Sequence, residues 1–171
     1  QGQGKKLLMS FHGIPQTMFL SGDPYHCQCQ KTARLVAEEL ELKQNEWKIS
    51  FQSRLGKAKW LSPYTDKTLQ EWGEREIDLV DIICPGFPAD CLETLEEIAM
   101  ENSTLFANSG GGKLRYIPAL NSQEDHINFL SEIIKSNLND WSSNFQNFDK
   151  NKLESEANRT LNRAKRMGSK F

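Results

Sequence analysis

Two groups of residues in this chain could carry acid–base or metal chemistry. The first is His12, which directly follows the apolar run Leu7–Phe11. The second is a row of glutamates spaced by four, Glu93, Glu97 and Glu101, in a segment of helical pattern. An imidazole accepts a proton near neutral pH, and carboxylates bind hard or borderline cations. Together these residue types indicate proton transfer combined with handling of a divalent metal ion.

The apolar pattern predicts elements that would bring the two groups together. Strands are predicted at 7–11, 47–53, 77–84 and 114–117, and helices at 29–42, 67–73, 90–102 and 124–137. This alternation predicts an α/β fold with a four-stranded parallel sheet covered by helices, and the strand at 77–84 is expected to be central. Ligands of open parallel sheets bind beyond the carboxyl ends of the strands. His12 and the glutamate helix are therefore expected at one crevice.

Each candidate also has a structural interpretation. His12 could hold its own loop through a hydrogen bond to the backbone. Trp60, on a loop expected at the same rim, could stack on a flat ligand or could pack that loop down. These alternatives stay open on residue type and position alone.

The glutamate row has its own structural alternative. Asp90 and Glu93 have the spacing of a capping pair, and acidic residues are favoured in the first turn of any helix. Glu97 and Glu101 could simply be solvated. The buried side of this helix is expected to carry the apolar residues Leu92, Leu95 and Ala99.

Composition restricts the class of protein. The chain has 171 residues, 37% hydrophobic and 26% charged, with a formal net charge of −2, which fits one globular domain at 5–140. A C-terminal extension at 141–171, helical or partly disordered, is expected to follow; its basic end allows a peripheral contact with an anionic membrane or a neighbouring subunit. Dispersed cations argue against a nucleic-acid partner. With no apolar run of roughly 18 residues and no secretory signal, the expected location is the cytoplasm.

The ends of the chain and its cysteines give two further expectations. The opening residues 1–4 carry no initiator Met, as expected of a chain cut at a domain linker. The four cysteines do not form the pattern of a disulfide framework and are expected to be free thiols.

Five segments of the chain carry a resemblance to a known family. They are Ser10–Pro15, Gly22–Tyr25, Phe51–Arg54, Trp60–Asp66 and Pro85–Leu95. In this order and spacing they resemble the C-terminal half of ferrochelatase, the enzyme that inserts ferrous iron into protoporphyrin IX. The similarity covers residues 7 to about 136, and the residues at 84–93 are most similar to those of gammaproteobacterial members.

The resemblance implies roles for individual residues. His12 matches the family's essential histidine and Glu93 its essential glutamate. Glu97 and Glu101 match an acidic ridge on a π-distorted helix, so that all four side chains are expected to bind the metal. Contact with the porphyrin is expected from Trp60, Ser53, Arg54 and Pro85.

The resemblance also implies substrates and partners. Ferrous iron and protoporphyrin IX would be the substrates, and the fold would be one Rossmann-like half of a two-half architecture. The other half is the N-terminal half of the enzyme, so this chain alone is expected to be weakly active, with a location that allows contact with the inner membrane. No iron–sulfur cluster is expected, because no cysteine follows Cys91, a position at which many relatives carry histidine.

Two other functions fit the same pattern. A cobalt chelatase of tetrapyrrole synthesis shares the architecture, and a cleft lined mainly by basic residues would favour it. A non-catalytic metal- or ligand-binding α/β module is the alternative from a different class.

Overall fold

The computed structural model describes residues 6–138 and 149–166 of the chain. The chain divides into two compact units between Gln123 and Glu124. The domain boundary predicted at residue 140, the opening residues 1–4 and the end of the extension beyond 166 lie outside the described residues.

The first unit contains all the strands of the described residues and most of the helices. Its strands are β1 (Lys6–His12), β2 (Trp47–Gln52), β3 (Leu79–Ile83) and β4 (Lys113–Tyr116). Its helices are α1 (Gln16–Leu20), α2 (Tyr25–Glu39), α3 (Thr65–Glu74), a π-helix (Glu93–Asn102) and α4 (Ser103–Asn108). The second unit contains α5 (Glu124–Asn137) and α6 (Lys150–Arg166).

The strands form one sheet in the order β2-β1-β3-β4, with every neighbouring pair parallel. The predicted four-stranded parallel sheet, the helices beside it and the C-terminal helix are thus confirmed, and β3 is one of the two central strands. From β1 the chain moves first to β2 on one side and later to β3 on the other. The carboxyl ends of β1 and β3 therefore flank a topological switch point, where open α/β sheets place their ligands.

Each face of the sheet packs against helices. On one face, Leu8, Val80 and Ile82 pack with Leu69 and Trp72 of α3, Ile98 of the π-helix and Phe106 of α4. On the other face, Met9, Phe11, Ile49 and Phe51 pack with Cys29, Ala33 and Ala37 of α2. Because both faces of the central strands are buried, those strands are mostly apolar in the sequence, with Ser10 and Asp81 as buried polar exceptions.

Two helices differ from the sequence prediction. The helix predicted at 29–42 begins earlier, at Tyr25, directly after Pro24. The short helix α1 was not predicted, because five residues with no buried side chain leave no apolar periodicity to detect. Among the residues described, none of the helices combines the length and the apolar content needed to cross a bilayer.

The helix expected at 90–102 departs most from the α-helical pattern, in the direction that the family resemblance implied. Residues 93–102 form a continuous π-helix, and α4 follows directly. The prediction that Leu92, Leu95 and Ala99 mark its buried side is wrong: Leu92 and Leu95 are 69% and 50% exposed, and the buried residues are Thr94, Ile98 and Asn102. The expectation assumed the α-helical period of 3.6 residues, whereas a π-helix has i→i+5 hydrogen bonds and a wider turn.

Candidate functional site

A cleft of about 780 Å³ opens where β1 and β2 end and the π-helix begins. Its volume lies in the range of small-molecule sites, roughly 300–1,000 Å³. One wall carries His12, the end of β2 and Trp60, and the opposite wall is the π-helix. The two predicted groups, the imidazole and the glutamate row, therefore line the same cleft.

His12 is held by its own loop and still presents a basic nitrogen. Its Nδ1 lies 2.6 Å from the carbonyl oxygen of Gly13. Because a carbonyl oxygen only accepts, Nδ1 carries the proton, and in the neutral ring the lone pair is on Nε2. The Tyr25 hydroxyl donates to the His12 carbonyl at 2.8 Å and fixes the backbone. The structural and functional interpretations of His12 are therefore compatible.

The loop after His12 depends on a close approach at Gly13. The Gly13 N–H donates to the carbonyl of Gln52 at 2.8 Å. A Cβ atom on Gly13 would lie 2.9 Å from that same oxygen and 3.1 Å from the Trp60 ring. Glycine thus allows the end of β1, the end of β2 and Trp60 to meet.

Trp60 packs this loop and lines the cleft at once. Its indole N–H donates to the carbonyl of Leu55 at 3.0 Å, and its ring centroid lies 6.4 Å from that of His12. The tilt between the two rings is 56°. A half-buried indole in this position offers an apolar surface beside the basic nitrogen.

Glu93 opens the π-helix on the opposite wall and is half-buried. A hydrogen bond from the Cys91 thiol, helped by the Glu93 backbone N–H and the positive charge of protonated His12, lowers the pKa of the Glu93 carboxyl below its ordinary value. Glu93 is thus an anion at neutral pH that interacts electrostatically with His12. Glu93 and His12 line the same cleft, as expected from the sequence.

Glu97, four residues further along, is not simply solvated. Its Oε1 accepts the Ser53 backbone N–H at 2.7 Å, and its Oε2 accepts the Ser53 hydroxyl at 2.5 Å. The Gln52 amide donates to the same Oε2 at 3.3 Å. Glu101, one turn further, is exposed at the edge of the cleft, with no hydrogen bond to its carboxylate among the described residues.

Gln52 is the buried centre of the hydrogen-bond network beneath the cleft. Only 2% of it is exposed. Its Oε1 accepts from the Ser10 hydroxyl at 2.7 Å and from the Cys84 thiol at 3.4 Å. Burial raises the pKa of Cys84 to about 12, so that thiol keeps its proton. On the other side, Gln52 Nε2 donates to the backbone carbonyl of Glu93 at 2.9 Å.

Asp90 fixes the loop that leads into the π-helix. Its Oδ1 accepts from the Tyr116 hydroxyl at 2.6 Å and from Thr94 at 3.1 Å, and its Oδ2 accepts from Asn121 at 2.8 Å. These bonds, first those of Asn121 and Tyr116, lower the pKa of Asp90. The hydrogen bonds of Asp90 thus run to Thr94 and to the loop after β4.

The charge of the cleft is strongly acidic. Its lining carries the carboxylates of Asp66, Glu93, Glu96, Glu97 and Glu101 and the guanidinium of Arg54. Arg54 is paired with Asp66 at 2.5 Å and lies 4.0 Å above the Tyr64 ring. The cleft therefore presents a negative field, which attracts cations.

The family of the chain follows from the comparison with known proteins. The family model described as Ferrochelatase matches residues 1–138. The chain belongs to the ferrochelatase family. Ferrochelatases of Thioalkalivibrio sulfidiphilus and Nitrosococcus oceani are each 50% identical to it over 169 residues, which is 99% of this chain and 46% of theirs. That of Acinetobacter baumannii is 55% identical over 137 residues, 80% of this chain and 40% of the relative.

The chain thus spans about half the length of the curated ferrochelatases it matches. A solved structure described as a cobalamin (vitamin B12) biosynthesis CbiX protein from Marinobacter aquaeolei is similar in fold. Its TM-score is 0.50 at 13% identity, and the match covers 78% of this chain and 97% of that one. This likeness supports the chelatase fold.

The predicted site residues of this ferrochelatase-family chain are not all in one place. Lining the cleft are His12, Ser53, Arg54, Trp60, Glu93, Glu97 and Glu101. Pro85 follows β3, is half-buried and is not among the residues that line the cleft. Within the described residues, no three His, Cys, Asp or Glu side chains converge closely enough to hold a metal ion.

Sequence reasoning missed several residues that line the cleft, among them Gln52, Glu96 and Asn102. Gln52 and Asn102 are buried polar residues whose importance appears only when the strands and the π-helix are packed. Glu96 lies outside the four-residue spacing from which the acidic row was inferred. Gln52 ends a strand in which apolar and polar residues alternate, so little in the sequence indicates that its amide is buried and requires partners.

Proposed function

We propose that this chain is the metal-side half of a ferrochelatase, which inserts ferrous iron into protoporphyrin IX. The observation that carries the proposal is the pairing across the cleft. His12 offers a lone pair on Nε2, and the Glu93 carboxylate stands opposite in an acidic setting.

The chemistry of insertion calls for both groups. A free porphyrin holds two pyrrole N–H groups, so each divalent ion that enters releases two protons and loses its hydration water. His12 accepts pyrrole protons, and Glu93 replaces metal-bound water or accepts protons. A shaped and dry cleft uses binding energy to bend the ring toward the inserted state.

The remaining residues are assigned to the two substrates. Trp60 lies against the macrocycle, with Ser53, Arg54 and Pro85 as further porphyrin contacts. Glu97 and Glu101 continue the acidic row by which the cation approaches. The partner is the other half of the longer enzyme, which supplies the opposing wall, and we place the protein in the cytoplasm with peripheral contact to the inner membrane.

A cobalt chelatase is the second candidate. Its more carboxylated substrate calls for a basic cleft, whereas Arg54 faces five carboxylates here and is already paired with Asp66. The charge of the cleft therefore favours a cation approaching from this wall and disfavours a polyanionic ring.

The test measures insertion of zinc or ferrous iron into a water-soluble porphyrin by absorbance. We expect little turnover by the chain alone. Fused to the N-terminal portion of the Thioalkalivibrio sulfidiphilus ferrochelatase, it should become active. In that fusion, His12→Ala and Glu93→Gln should each lower kcat at least about a hundredfold, the usual size of a proton-transfer contribution.

Glu39→Gln, on the exposed side of α2, is the matched control for Glu93→Gln and should keep full activity. Near-normal turnover by the chain alone would contradict the assigned need for a second half. A folded fusion that binds metal and porphyrin without turnover would point to a non-catalytic binding module instead.

A further inference from the structure

The Glu97 carboxylate has both of its oxygens engaged by the end of β2. Ser53 provides two donors, the backbone N–H at 2.7 Å and the hydroxyl at 2.5 Å, and the Gln52 amide provides a third at 3.3 Å. Hydrogen bonds to an ionised acceptor are the strong ones. An incoming cation would have to compete with these donors for the lone pairs of Glu97.

The backbone of Ser53 is built for this contact. Its φ is +62°, in the left-handed region that residues other than glycine rarely adopt. Ser53 directly follows the last residue of β2, and its N–H donates to Glu97 of the π-helix. A strained residue persists where its surroundings hold it, and here the surroundings include both oxygens of Glu97.

The same helix is held at two neighbouring points. Gln52 Nε2 donates to the Glu93 carbonyl at 2.9 Å, and Asn102 Nδ2 donates to the Glu97 carbonyl at 2.7 Å. Helices of this wide type are rare in proteins. Asn102 is the last residue of the helix itself, whereas Gln52 and Ser53 contact it from outside and tie it to the end of β2.

We propose that Glu97 is a positioning residue: its carboxylate fastens the π-helix to Ser53 and so keeps Glu93 facing His12. The proposal rests on the proposed function, in which the cleft inserts a metal ion into a porphyrin. It assigns contact with the cation to His12, Glu93 and the exposed Glu101, and not to Glu97. Glu97 contributes its negative charge from a fixed place.

The test uses the 171-residue chain and two measurements: hydrogen exchange of backbone amides, and binding of Zn²⁺ by calorimetry. Glu97→Ala should accelerate exchange of the Ser53 amide and of residues 93–102 about tenfold or more, since the Ser53 amide loses its charged acceptor and the helix loses its attachment to β2. Ser53→Gly keeps the left-handed backbone and its N–H but lacks the hydroxyl, so it should show a smaller acceleration. The Gly13 amide, bonded to Gln52 O at 2.8 Å, is the internal reference.

Glu101→Ala is the matched control, because it removes the same charge from the same helix at an exposed position. It should leave exchange in the π-helix unchanged. Glu97→Gln keeps the shape and one acceptor oxygen, so Zn²⁺ affinity should stay within about threefold of the parent, whereas Glu97→Ala should lower it more.

The opposite pattern would overturn the proposal: Glu97→Gln and Glu97→Ala both lose Zn²⁺ affinity about tenfold while amide exchange stays at the parent rate. Glu97 would then be a ligand. If Glu97→Ala does not fold, Ser53→Gly and Glu97→Gln decide between the same two patterns. The proposed function fails if the parent chain does not bind Zn²⁺, or if His12→Ala leaves that binding unchanged. In either case the exchange measurements still report on the role of Glu97.

Discussion

Replacing Gln52 by methionine tests whether the buried network holds the cleft together. Methionine has a similar length and fills irregular core space, so the change removes polar contacts with little change in volume. The Ser10 hydroxyl would lose its acceptor at 2.7 Å, and the Glu93 carbonyl would lose its donor at 2.9 Å. Ser10 keeps its contact with Thr65 at 2.8 Å, which limits the loss on that side.

The size of the effect follows from these contacts. Leaving a buried polar group without a partner costs about 1–3 kcal/mol, and the longer contacts of Gln52 add little. The Glu93 carbonyl loses its donor, and the Ser10 hydroxyl is partly compensated by Thr65. We therefore expect the free energy of unfolding to fall by about 2–4 kcal/mol. At an m value of about 2 kcal/mol/M, the urea midpoint should fall by about 1–2 M.

The assay is urea unfolding at 25 °C followed by tryptophan fluorescence and far-UV circular dichroism. Gln28→Met, an exposed glutamine of α2, is the control and should change the midpoint by less than about 0.3 M. If Gln52→Met behaves like this control, the network does not stabilise the fold, and the account of how β2 positions Glu93 is refuted.

Three further perturbations address the loops around the cleft. The Asn121 hydrogen bond is the main cause that lowers the pKa of Asp90 in the folded chain. The carboxylate therefore stabilises the fold fully above its unfolded pKa of about 3.9, and this stabilisation is lost as pH falls through the lower folded pKa. In Asp90→Asn, the urea midpoint should consequently decrease less steeply at acidic pH. Gly13→Ala places a methyl group in close contact with backbone and indole and should lower the free energy of unfolding by about 1–3 kcal/mol. Cys91→Ala removes the main cause of the lowered Glu93 pKa, so carbon-detected NMR titration should find that pKa raised toward its ordinary value.

Each of these has an outcome that would contradict it. An equally steep decrease of the urea midpoint at acidic pH in Asp90→Asn would mean that other carboxyl groups dominate it. Gly86→Ala, whose added methyl would meet Phe11 at an ordinary 3.5 Å, is the control for the Gly13 variant, and equal effects would refute the close-approach argument. A Glu93 pKa that stays the same or falls in the Cys91 variant would exclude the thiol as its main cause.

Most of the sheet could be predicted from sequence because its strands are buried on both faces. Runs such as Leu79–Ile83 are apolar except for Asp81, and the turn that follows this run is marked by proline and glycine. His12 and Glu93 could be placed at one crevice for the same reason, since a strand order of this kind brings carboxyl ends together.

The apolar pattern of residues 90–102 could not predict the π-helix, because its cause is tertiary; only the family resemblance implied a π-distorted helix. The α-helical period assigned Leu92 and Leu95 to the buried side, whereas Thr94, Ile98 and Asn102 occupy it. The contacts that accompany the wide turn come from Gln52 and Ser53, about forty residues earlier in the chain. A pattern within one segment carries no information on such partners.

Strand β1, the earliest strand of the described residues, lies in the interior of the sheet. Leu7 pairs with Trp47 on one side and with Asp81 on the other. During synthesis, one edge of the mostly apolar strand β1 therefore stays unpaired until β3, near residue 80, has left the ribosome. Closure of that long loop must precede the second pairing, so assembly is expected to be slow and sensitive to aggregation. Yield of native protein should consequently depend more on growth temperature and chaperone supply than on the stability of the finished fold.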